Sequence, residues 1–120
     1  MILYVVLKEG ENMLVSDLAS IGLKPINEAD VNREISQVYI NDLLSYVMAN
    51  CQEDTLWITI LKHPNIIAVA QLHDFAGIIF VHNNYPPQET IDKANLFDIP
   101  LFVSDKDAFT LAKELIQLGM

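Results

Sequence analysis

Three short apolar runs, each followed by residues at helical spacing, constrain this chain more than any other feature. Leu56-Trp57-Ile58-Thr59-Ile60, Gly77-Ile78-Ile79-Phe80-Val81 and Leu101-Phe102-Val103 carry apolar side chains at consecutive positions. A strand with one face in water alternates apolar and polar residues. A strand apolar on both sides must be covered on both, as in parallel sheets. The period changes between the runs. Pro64 marks a break, Asn65 is placed to cap, and Ile66, Ile67, Val69, Ala70 and Leu72 follow on a helix. A second helix has Pro86 or Pro87 in its first turn and turns Ile91, Ala94 and Leu96 inward. Ser104 or Asp105 caps a third, which carries Phe109, Ala112, Leu115, Ile116 and Leu118 and stops before Gly119. This alternation predicts parallel strands joined by right-handed crossovers. The fold class is α/β, a three-layer α/β/α sandwich with a mainly parallel central sheet.

The first half is less regular. Residues 2–7 suit a strand, and residues 13–21 a short helix with Leu14, Leu18 and Ile21 on one face and Gly22 at its end. The polar stretch 24–34 reads as a surface excursion. Residues 37–40 form a fourth strand. Asn41 or Asp42 then caps a helix through Leu43, Leu44, Tyr46, Val47 and Met48 that frays at Asn50. No low-complexity linker divides the chain, so residues 1–120 read as one domain, in line with a prior of roughly 100–200 residues per domain.

Composition excludes several function classes. Seven Lys and Arg against sixteen Asp and Glu give a net charge of −9, which argues against nucleic acid, whose binding rests on neutralising phosphates. The longest apolar tract, 66–81, is interrupted by Gln71, His73 and Asp74, so a membrane span is not expected. The first residues lack a basic flank before their apolar run, so no signal peptide is read and a cytoplasmic setting is expected. A single cysteine, Cys51, allows neither an internal disulfide nor a cysteine-built zinc site, and it reads as a packed small residue. The four glycines, Gly10, Gly22, Gly77 and Gly119, form neither a Walker loop nor a dinucleotide fingerprint. Neither a cofactor nor a metal is expected.

In open α/β sheets, ligands bind outside the carboxyl ends of the strands. If the strands are parallel neighbours, Lys62, His63, Asn65, His82, Asn83 and Ser104 gather on one rim. Lys62 and His63 also precede a helix N-terminus, where free N–H groups favour an anion. The sharp reading is a nucleotide or other small anion held by Lys62, His63, Asn65, His82 and Ser104. The bland reading is that polar residues after strands are loop residues and caps. His73, inside a helix beside Asp74, reads as a surface or interface residue.

Residues Tyr39-Ile40-Asn41-Asp42-Leu43-Leu44-Ser45-Tyr46-Val47-Met48, Leu56-Trp57-Ile58-Thr59-Ile60 and His63-Pro64-Asn65-Ile66-Ile67-Ala68-Val69-Ala70, together with Ala76–Phe80 and Ile99-Pro100-Leu101, resemble the DRTGG domain over roughly residues 13–120. The likeness is to small free-standing DRTGG proteins. It implies a fold similar to the N-terminal domain of HPr kinase/phosphorylase, without that enzyme's P-loop. It also implies a regulatory and dimerising role, because related domains accompany CBS pairs in a regulatory pyrophosphatase. Where the Asp-Arg-Thr-Gly-Gly motif would stand, this chain has Leu61-Lys62-His63-Pro64-Asn65. Both glycines are missing, and Pro64 removes an N–H donor.

The leading expectation is therefore a non-catalytic regulatory or interaction domain, cytoplasmic and homodimeric, with an anion or nucleotide site at the strand ends. One competing reading is a phosphoryl-transfer accessory or hydrolytic enzyme using His63. The other is a pure protein-docking adaptor. The sequence offers no set of nucleophile, base and orienting group, which weighs against the enzyme.

Overall fold

The computed structural model describes residues 13–120. The strand expected over 2–7 lies outside the described residues. Elements follow in the order β1 (Met13–Leu14), a 3₁₀ helix (Val15–Ile21), β2 (Glu34–Ile35), β3 (Gln37–Ile40), α1 (Leu44–Asn50), β4 (Thr55–Thr59), α2 (Asn65–Leu72), β5 (Gly77–Phe80), α3 (Gln88–Leu96), β6 (Leu101–Val103) and α4 (Ala108–Leu118). The chain is α/β. β3, β4, β5 and β6 form one parallel sheet in that order, and β1 pairs with β2 in a separate antiparallel ribbon.

The strand order explains the layers. Each crossover steps to the next strand in the same direction, so right-handed connections place all their helices on one face. On that face Val47 of α1, Ile66, Ile67, Val69 and Ala70 of α2, and Ala94 of α3 pack with Trp57, Ile78, Phe80 and Leu101. The other face is left to segments outside the crossovers. There Val15 and Leu18 of the 3₁₀ helix and Leu111 and Leu115 of α4 pack with Leu56, Ile58, Ile79 and Phe102. Adjacent strand residues thus serve opposite cores, as the two-residue pleat requires.

All five residues of β4 are buried. Trp57 has no exposed surface and meets Phe75 edge-to-face with ring centroids 5.8 Å apart. Its Nε1–H donates to the Asn41 carbonyl at 2.9 Å, so the one polar atom of the ring is satisfied across the β3–β4 junction.

Several boundaries differ from expectation. Residues 13–21 divide into β1 and a 3₁₀ helix. That helix ends as read, at Gly22 with φ 83°. Asn65 is the first residue of α2 rather than its cap. Pro64 precedes it, and no side chain of the cap residue bonds the helix. Pro87 stands just before α3, not within it. Asp107, not Ser104 or Asp105, caps α4, accepting from the Thr110 N–H at 2.7 Å. Leu72, Leu96, Phe109 and Ile116 are exposed, and Leu111, absent from the expected face, is buried with Leu115. The differences in helix face have one cause. The amphipathic pattern admits several rotations of a short helix, and sheet contact selects among them.

The polar stretch 24–34 is not a free excursion. Ile26 N–H donates to the Leu101 carbonyl at 2.8 Å, and Pro25 bridges Phe102. The Asn27 carboxamide donates to Ile99 O at 2.8 Å and accepts from the Leu101 N–H at 2.9 Å. This segment closes the outer edge of β6. Replacing Asn27 with Ala unpairs both backbone groups and is expected to cost about 1–3 kcal/mol. Urea denaturation checks the loss, with faster hydrogen exchange at the Leu101 amide; unchanged stability would show that the edge does not need this clamp.

Candidate functional site

Parallel pairing brings the carboxyl ends of β3 to β6 to one rim, with Ile40 beside Ile58, Thr59 beside Phe80, and Phe80 beside Val103. The loops there are tied by side chains. Asp42 Oδ1 accepts from Thr59 Oγ1 at 2.7 Å and from the Ile60 N–H at 2.8 Å. Asn41 Oδ1 accepts from the Leu43 N–H at 2.9 Å, so Asn41 turns the chain toward α1 while Asp42 joins two strand ends.

The expected site residues fall into two groups. The first lies after β4. Lys62 is exposed, and its Nζ donates to Asn84 Oδ1 at 3.0 Å. The Asn84 amide in turn donates to Ile60 O at 2.9 Å, and the buried Thr90 hydroxyl donates to Lys62 O at 2.7 Å. Lys62 is thus held from β5's loop and from α3. His63 Nδ1 accepts from the Asn65 N–H at 3.1 Å, and the His63 carbonyl accepts from Ile66 N–H at 3.1 Å. The Ile67 N–H reaches Pro64 O at 3.0 Å. The N–H groups expected to be free for an anion are therefore already engaged. His63 performs the capping that Asn65 was expected to provide. With Nδ1 accepting in that bond, Nε2 is the ring nitrogen left facing outward. The outward groups left are the Nε2–H edge of His63 and the Lys62 ammonium. A histidine base is oriented by a third group, whereas His63 Nδ1 meets a backbone amide.

The second group lies after β5 and β6. His82 and Asn83 have φ of 60° and 55°, both left-handed. The Asn84 N–H closes the turn onto Val81 O at 3.2 Å, with His82 and Asn83 as its central residues. Their own N–H groups donate to Lys106 O at 3.0 Å and Ser104 O at 2.7 Å. The buried Ser104 Oγ accepts from the Lys106 N–H at 3.1 Å. A cavity of about 180 Å³ opens here, lined by Asn83, Ser104, Lys106, Glu114 and residues around Gly22; Lys106 is ion-paired to Glu114. Lys62, His63 and Asn65 do not line it. Among the described residues no group of three or more His, Cys, Asp or Glu could hold a metal ion. No helix among them is long and apolar enough to cross a membrane.

Sequence reasoning missed Asn84, Thr90 and Lys106 as positioning groups, and it read Asn41 or Asp42 as the cap of α1, where Leu43 stands without a side-chain cap and Asp42 instead ties β3's end to β4's. The signal for one was present: successive Asn residues after a strand favour a left-handed turn. Nothing local marks Thr90, because its partner lies 28 residues earlier.

Left-handed backbone at a non-glycine residue costs about 1–2 kcal/mol. Replacing His82 with Gly is expected to stabilise the chain by about 1 kcal/mol, read as a higher urea midpoint. A lower midpoint would show that the imidazole is needed for the turn. Asp107 gives a pH-dependent expectation. The Thr110 N–H, then its hydroxyl, with a further pull from His82, hold the Asp107 carboxyl below its ordinary value. A lowered carboxylate stabilises the fold above its unfolded value and loses that contribution as pH falls through the folded one. Stability is therefore expected to drop as pH descends below about 4. The drop is expected to be shallower in Asp107→Asn, measured by urea denaturation across pH 2–6; parallel curves would exclude this cap as a contributor.

No protein-family model matches the sequence, and no curated protein matches it. A solved structure does resemble the fold. It is the crystal structure of the CBS and DRTGG domains of the regulatory region of Clostridium perfringens pyrophosphatase, complexed with the activator diadenosine tetraphosphate. The two share 15% identity with a TM-score of 0.69. The likeness covers 97% of this chain and 56% of that one, and at this identity it shows a common fold.

Proposed function

We propose that this chain is a non-catalytic regulatory domain of the DRTGG type, cytoplasmic and a single domain over residues 1–120, that takes a nucleotide or other small anion at the carboxyl rim of its sheet. Lys62 supplies the charge and the Nε2–H edge of His63 a donor beside Asn65, while His82 and Ser104 belong to the separate group after β5 and β6 and would meet only the far end of an extended ligand such as a nucleotide. The observation that carries the reading is the state of Lys62. In a chain of net charge −9, its ammonium is held by a neutral carboxamide, and among the described residues no carboxylate pairs with it. The structural neighbour's regulatory region is complexed with a nucleotide activator, which supports the same class of ligand here.

Titration calorimetry with ATP, AMP, diadenosine tetraphosphate and inorganic phosphate tests the proposal. At least one is expected to bind, and rising salt is expected to weaken it. Lys62→Ala is expected to weaken it about tenfold or more, the worth of a charge-assisted hydrogen bond. Absence of binding to all four at millimolar concentration would overturn the ligand reading.

We propose also that the domain self-associates. Among the described residues β3 has a neighbour on one side only and carries no charged residue. Beside it runs an apolar groove of about 290 Å³ lined by Val38, Ile40, Ala112, Leu115, Ile116 and Met120. An uncharged edge strand with one described neighbour invites another strand. Sedimentation velocity is expected to show a dimer at high micromolar concentration and a monomer for Ile116→Glu, a residue that is 67% exposed, with an unchanged urea midpoint showing that the variant is folded. A monomeric parent chain at that concentration would exclude self-association.

A further inference from the structure

We draw no further inference here: the strongest candidate, the cavity at the amino ends of the strands between Arg33, Phe75 and the exposed Leu96 and Phe97, has its guanidinium already paired with Asp54 and Asp74, and nothing in the structure shows what covers its apolar rim.

Discussion

The burial of β4 on both faces is the constraint on which the rest of the structure depends. Five consecutive side chains, Thr55 to Thr59, lie out of water. Fully burying a large apolar side chain is worth about 1.5–3 kcal/mol, so leaving either face bare would forfeit several such terms. Two covering layers are therefore required. The crossovers can supply only one, because their shared handedness and direction place α1, α2 and α3 together. The 3₁₀ helix and α4 have to supply the other, and their buried faces are short: Val15 with Leu18, and Leu111 with Leu115. The same arrangement aligns four strand ends, so Lys62 and Asn84 can meet although 22 residues separate them.

The two ends of the sheet use the same strained backbone differently. Asp54, Asp74 and Asp98 are left-handed at the amino end, at positions where glycine would be unstrained. Their carboxylates are used. Asp54 and Asp74 pair with Arg33, and Asp98 accepts from the Asp30 N–H at 2.9 Å. The strain there is offset by ties that fasten the 27–33 segment across the strand starts. At the carboxyl end, His82 and Asn83 are equally strained, yet among the described residues neither side chain makes a hydrogen bond. Only their backbone amides are braced, by Lys106 O and Ser104 O.

The fold was legible because it rests on local pattern. Gly77–Phe80 and Leu101–Val103 stand where two-sided apolar runs placed them, and Gln37–Ile40 was equally plain. Helix faces were less legible: the bend at Asp105 and Lys106 sets Asp107 behind two other candidate capping residues, and Phe109 and Ile116 look as apolar as Leu111 and Leu115. The segment 24–34 was misread because its anchors, Asn27 on Ile99 and Leu101, span more than 70 residues. The rim residues were legible by position but not by role. Parallel strands bring Lys62, His82 and Ser104 to one side from sequence alone, yet nothing in the pattern says that the exposed His63 would accept from the Asn65 amide and cap its own helix.

That capping changes how the rim can attract an anion. A helix N-terminus with free N–H groups offers about 0.3–1 kcal/mol to a negative charge at an exposed site. Here those groups are engaged by His63 and Pro64, so the helix contributes mainly a fixed dipole. A cationic His63 would need its Nδ1 protonated and would lose the bond to Asn65. Positive charge at this end therefore rests on Lys62, because Lys106 is committed to Glu114. The chain's −9 charge opposes an approaching anion, but screening confines that opposition to about 8 Å at physiological salt. Within that distance the ammonium, aimed by Asn84 on a backbone anchored through Thr90, is the cation an anion would meet, with the Asp42 carboxylate opposing it from the neighbouring strand end. Under the proposed reading, a lysine held in place by Asn84 is what would let this rim of an acidic protein take a phosphate.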